Sequence, residues 1–180
     1  MGVKSATARG LTSGLEPGIV LINTTNFTAQ STISINNVFS ANYDNYIIKF
    51  NNCLASSNTW LSMRLRTSSD ETSANYHSQY LFAGGTSVAA ARYSGATSWV
   101  ETMRIDTNVQ NLGTMNLYNP FNAIATTAEM VTMTAGASSG IDTLSWVRGL
   151  NTTTSYTGFT LLTGGAPTIT GSLSVYGYNK

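Results

Sequence analysis

Hydrophobic and polar positions alternate along most of this chain. In "TWLSMRLRT", Leu61, Met63 and Leu65 take one parity, while Trp60, Ser62, Arg64 and Arg66 take the other. In "NYIIKFNNC", Tyr46, Ile48 and Phe50 share a parity, and in "GSLSVYGYNK" Leu173, Val175 and Gly177 alternate with Ser174, Tyr176 and Tyr178. Period two is the spacing of a β-strand whose two faces meet different surroundings. Runs such as "IVLINT", "STISINNVF", "NYHSQYLFA", "SWVETMRID", "LGTMNLYNP", "AEMVTMTA", "IDTLSWVRGL" and "GFTLLTG" complete a set of about ten strands. Gly84-Gly85, Pro120 and the loop "GASSG" punctuate them. The Ala-rich segment "SVAAARYSG" reads as a single helical turn, and no stretch carries a sustained helical period. Many short strands without helices predict an all-β protein, an antiparallel β-sandwich of the jelly-roll type.

Residues 1–17 are Gly, Ser, Thr and Ala with scattered charges and no periodic apolar positions. They read as an extended N-terminal arm, with Pro17-Gly18 opening a single sandwich domain over residues 18–180. The strand in "GSLSVYGYNK" is expected to be paired inside a sheet, with Leu173 and Val175 facing the core, because an end of chain stays ordered when something ties it down. Gly177 between two tyrosines marks a place where another backbone or ring presses close.

Composition sharpens this picture. Only 9% of the 180 residues are charged, against roughly 25% in an average soluble domain. Ser, Thr and Asn make up about a third of the chain, and their preferences for strands and turns suit a sandwich. The net charge is +1 with no basic run, which argues against nucleic-acid binding by phosphate neutralisation. No apolar stretch is long enough for a membrane-spanning helix, and the N-terminal residues lack a secretory apolar core.

Candidate chemistry is sparse. The one histidine, His77, and the one cysteine, Cys53, are too few for a zinc site. Cys53 reads as a small buried hydrophobe and His77 as a surface or interface residue. A glycosidase needs two carboxyl groups across a cleft, yet Asp70 and Glu71 sit side by side in "SSDETS", read as a solvated loop, and Asp44, Glu101, Asp106, Glu129 and Asp142 are scattered. No catalytic residue, cofactor or metal ligand is assigned, and the chain is read as non-enzymatic. Aromatic groups are the more promising feature. Trp60 shares a strand face with Arg64 and Arg66, and Tyr176 and Tyr178 share another. These five are the candidates for an oligomer interface or a glycan contact, since Trp, Tyr and Arg anchor interfaces and rings stack on sugar faces.

Two blocks carry a resemblance. "SINNVFSANYDNYIIKFNN" joins an Asn-rich turn to an aromatic block and an alternating strand, and "NTTTSYTGFTLLTGGAPTITGSLSVYGYNK" ends on Val-Tyr-Gly-Tyr. Both resemble small structural, tail-fibre-like proteins of tailed bacteriophages of the marine and cyanobacterial type, over roughly residues 18–180. That resemblance implies a virion component assembled in the host cytoplasm, a short tail or baseplate fibre module at the host surface. A capsid decoration protein is the alternative, and a free lectin or glycan-degrading enzyme stands third. It also implies an oligomer, expected as a homotrimer, because exposed apolar strand faces need covering. The arm over residues 1–17 is expected to dock on another virion protein, and a host surface glycan is the expected external ligand.

Overall fold

The structure is a computed structural model and describes residues 18–136 and 140–180. Twelve strands and no helix occur among the described residues. They are β1 (Ile19–Gln30), β2 (Thr32–Ile35), β3 (Asn45–Ala55), β4 (Thr59–Arg66), β5 (Tyr76–Gly84), β6 (Ser87–Ala96), β7 (Trp99–Ile105), β8 (Asn111–Tyr118), β9 (Thr126–Gly136), β10 (Gly140–Leu150), β11 (Gly158–Thr163) and β12 (Ile169–Tyr178). An eight-stranded sheet runs β1-β12-β3-β8-β9-β10-β5-β6, and a four-stranded sheet runs β2-β11-β4-β7. Every ladder in both is antiparallel.

The winding is that of a jelly roll. β1, β12, β3 and β8 of the large sheet lie in the same order as their chain neighbours β2, β11, β4 and β7 of the small one. A single antiparallel ribbon rolled into two sheets produces this correspondence. Two hairpins are inserted into it, β5–β6 between β4 and β7, and β9–β10 between β8 and β11. Both join the large sheet, where β10 pairs with β5, so that sheet extends four strands beyond β8.

The core lies between the sheets, on the parity read from the sequence. Leu61, Met63 and Leu65 of β4 and Phe159 and Leu161 of β11 are fully buried, facing Ile48 and Phe50 of β3, Met115 and Leu117 of β8, and Leu173 and Val175 of β12. Each such side chain contributes about 1.5–3 kcal/mol by leaving water. Buried tyrosines keep their hydroxyls bonded. The Tyr76 hydroxyl accepts from the Leu65 N–H at 2.9 Å and donates to the Glu71 carbonyl at 3.2 Å, and the Tyr46 hydroxyl donates to the Ser40 carbonyl at 3.0 Å.

β12 sits inside the large sheet, paired on one side with β1 and on the other with β3. A Cβ on Gly177 would lie 2.5 Å from the Tyr43 ring, and one on Gly158 would strike the Ile35 carbonyl. At both glycines the missing side chain makes room for a neighbour.

Two expectations need correction. "SVAAARYSG" is part of strand β6, not a helical turn. Gly85, with φ of 58°, opens a two-residue turn that folds β6 back on β5, pairing Ala89 with Phe82 and Ala91 with Tyr80. Hairpin closure overrides the helix preference of three alanines. The second concerns "SSDETS", which is tied down and not freely solvated. Asp70 accepts a hydrogen bond from Thr160 Oγ1 at 2.6 Å, and Glu71 accepts from the Tyr156 hydroxyl at 3.0 Å and the Ser73 N–H at 2.8 Å. The N-terminal arm expected over residues 1–17 lies outside the described residues.

Candidate interaction surface

The five residues singled out from the sequence occupy two separate faces. Trp60, Arg64 and Arg66 lie half-buried on the outer side of the small sheet, because Leu61, Met63 and Leu65 take the inner side. Arg64 Nε donates to the Thr97 carbonyl at 3.0 Å. Arg66 reaches Asp70 at 3.6 Å and donates to the Ser68 carbonyl at 3.2 Å. Both guanidinium groups are therefore engaged within the chain. Tyr176 and Tyr178 lie on the outer side of the large sheet, across the sandwich. The Lys49 ammonium stands 5.7 Å from the Tyr176 ring centre, and the Tyr178 hydroxyl donates to Asn116 Oδ1 at 3.3 Å. The structure brings each group together but not the two groups into one site.

The outer face of the large sheet carries a feature not singled out from the sequence. Across β8, β9, β10, β5 and β6 the register aligns side chains in rows. One row is Leu112, Met133, Thr143, Ala83 and Val88; the next is Thr114, Val131, Ser145, Leu81 and Ala90. A third holds Glu129, Val147, Gln79 and Arg92. Val88 is 77% exposed, Val147 60%, Leu81 58% and Val131 57%, with Met133 and Leu112 less so. Glu129 and Arg92 are the charges in these rows, and Glu129 is already bonded to the Tyr118 hydroxyl at 2.8 Å and Asn116 Nδ2 at 3.0 Å. The sequence signal is a strand apolar on both parities. In "AEMVTMTA" Met130 turns inward while Val131 and Met133 turn outward.

The inner side of the same extension holds a buried cation. Arg148, 4% exposed, stacks on Trp146 with its guanidinium 4.1 Å from the ring centre. Nη1 donates to Ser78 Oγ at 3.2 Å and to the Val100 carbonyl at 3.1 Å, and Nη2 donates to the Glu101 carbonyl at 3.2 Å. Burial pushes its pKa down to about 9, since no full ion pair offsets the loss of water. Glu101 adopts φ of 52° where β7 bulges away from β4, so Arg148 fastens the extension to a distorted stretch of β7. An arginine on the inward parity of "LSWVRGL", after Leu144 and Trp146, was the sequence sign of it.

Three other reactive side chains have defined partners. Cys53 is fully buried, its Sγ 3.7 Å from the Asn51 carbonyl, and burial pushes the thiol up to about 12. His77 Nδ1 stands 3.1 Å from Ser94 Oγ on the outer face. Asp142 is buried 3.5 Å from Arg104. Among the described residues no three His, Cys, Asp or Glu side chains are grouped to hold a metal ion.

No protein-family model matches the chain, and no curated protein matches it.

Proposed function

We propose that this chain is a non-enzymatic structural protein of a bacteriophage virion, a short tail or baseplate fibre module that meets the host surface. The observation that carries this reading is the outer face of the large sheet. Leu81, Val88, Leu112, Val131, Met133 and Val147 are large apolar side chains exposed together on this face, and an exposed apolar patch of this kind marks an interaction site. Such a face belongs in an assembly, and the expected assembly is a homotrimer. The jelly roll is a recurrent architecture of capsid and lectin domains, though a fold by itself fixes no function. The two end blocks that resemble phage structural proteins add the virion context.

Two measurements test the proposal. Light scattering of the wild type at micromolar concentration should give a stable oligomer, and replacing Leu81 and Val131 by Ser should weaken it while leaving the fold intact. Mass spectrometry of gradient-purified particles from the source culture should find the chain in them. A wild-type monomer, or a chain absent from particles, rules the proposal out. Antibody labelling at the tail supports the fibre role, and labelling over the whole shell supports capsid decoration instead.

A further inference from the structure

A two-sheet sandwich has four edge strands, here β1 and β6 for the large sheet and β2 and β7 for the small one. An edge strand offers unpaired backbone N–H and C=O groups to any passing strand, and folded proteins blunt such edges by shortness, bulges, charge or cover. Three of the four edges are blunted. β1 breaks register with β12 twice, between Leu21 and Asn23 and between Phe27 and Gln30. β2 has four residues. β7 bulges opposite Leu61–Met63, and its Val100 and Glu101 carbonyls are taken by Arg148.

β6 is protected only at its far end, where its register with β5 shifts between Tyr76↔Ala96 and Ser78↔Tyr93. Its register with β5 runs unbroken from Ser78↔Tyr93 to Gly84↔Ser87. It contains no proline and one charge, Arg92. Residues Ser87 to Ala90 are exposed on both faces, and Ala89, Ala90 and Ala91 leave room for a second backbone. The two-residue turn fixes which groups look outward. Gly84 and Ser87 flank the turn as a hydrogen-bonded pair, so Phe82↔Ala89 and Tyr80↔Ala91 are bonded pairs as well. Val88, Ala90 and Arg92 consequently turn their N–H and C=O groups to the free edge.

We propose that β6 is a self-pairing edge, joining antiparallel to β6 of a second copy across a two-fold axis at Ala90. The occupant is a second copy because the strand complements itself. A centre at Ala90 sets Ala90 opposite Ala90 and Val88 opposite Arg92 of the other copy, all with outward-turned backbone groups. The single charge of each strand therefore meets a valine and not its own counterpart. A two-fold contact of this kind uses the same patch on both copies. It also brings the exposed Val88 and Leu81 of the two outer faces into one continuous surface. The inference stands apart from the virion proposal, since it uses only the edges of the sheets. A trimer closed through other surfaces and paired at β6 doubles to six copies, and a chain without such closure stops at two.

The test uses the full chain. Light scattering should give an even-numbered assembly, and hydrogen exchange should show the Val88, Ala90 and Arg92 amides protected. Ala90→Pro removes an outward N–H without touching the β5 ladder, a position where an edge strand tolerates proline, and should halve the assembly mass. Val88 is a highly exposed position, so substitutions there leave the fold in place. Val88→Lys sets like charges opposite each other twice and should weaken pairing roughly tenfold, whereas Val88→Glu meets Arg92 and should preserve or tighten it. An odd-numbered assembly or a monomer, rapid exchange at the three amides, an assembly that survives Ala90→Pro, or equal behaviour of the two Val88 variants overturns the proposal.

Discussion

Gly177 and Tyr43 occupy one another's space, the Tyr43 ring standing 2.5 Å from where a Gly177 Cβ would be. The ring packs edge-on against Tyr46 at 5.9 Å between centres, so it closes the loop before β3 over the last strand. Gly177→Ala should force the ring aside and destabilise the domain by about 1–3 kcal/mol. Urea unfolding measures this. Combining the substitution with Tyr43→Ala should recover part of the loss, and additive losses would show that the ring is not what excludes a side chain at Gly177.

Arg148 should matter more than its lack of an ion pair suggests. Arg148→Ala empties the space beside Trp146 and strands the Val100 and Glu101 carbonyls. The expected cost is about 3 kcal/mol, with a shift in tryptophan fluorescence as the Trp146 ring loses its stacked cation. A loss under about 0.5 kcal/mol, the size of an ordinary surface change, would place the fastening elsewhere.

Alkaline conditions should unfold the protein partly through Tyr76. Burial raises its pKa above the usual phenol value, so the folded state holds the proton more tightly than the unfolded chain. The associated stability is fully present below about pH 10 and is lost as pH rises beyond it. Tyr76→Phe should lower the melting temperature at pH 8, because the Leu65 N–H and Glu71 carbonyl lose their partner. The same variant should lose less than the wild type between pH 8 and pH 11. Parallel declines in the two proteins would acquit Tyr76.

Cys53 should be silent toward thiol reagents in the native state. It is fully buried and its thiol is pushed up to about 12, so almost no thiolate forms at pH 8. A disulfide reagent should label it only after denaturant is added, at the rate of unfolding. Prompt native-state labelling would mean that β3 opens locally near Cys53.

Local alternation was enough to find the core strands. Leu61, Met63 and Leu65 lie on the buried side as their spacing required, and the close approach at Gly177 was readable from a glycine between two tyrosines in a strand. Of the inserted strands, β5, β9 and β10 were read from their own runs and β6 was not, because what makes β6 a strand is its pairing with β5, and its own alanines favour helix. Asp70 and Glu71 looked solvated because their partners, Thr160 and Tyr156, lie far along the chain. The apolar outer face escaped for a related reason. Leu81, Val131 and Val147 are unremarkable one by one, and only the cross-strand register lines them up. Trp60, Arg64 and Arg66 are apart from Tyr176 and Tyr178 because β4 and β12 belong to different sheets, which no spacing along one strand reveals.

The position of β12 sets a timetable for folding. β1 and β3 are distant from it in the chain, yet neither is joined to the other except through it. Until Ile169–Tyr178 has left the ribosome, β1 has no partner in the large sheet, and β3 has a bare edge beside exposed Ile48 and Phe50 contacts. The sandwich cannot be closed progressively from its beginning, because its seam is sewn by the latest-made strand. Non-local pairing of this kind is slow and leaves strand edges open to misassembly. A chain emerging in many copies at once therefore has its period of greatest risk just before β12 slots in, when the edges that β12 will occupy are still open to a neighbour's strand.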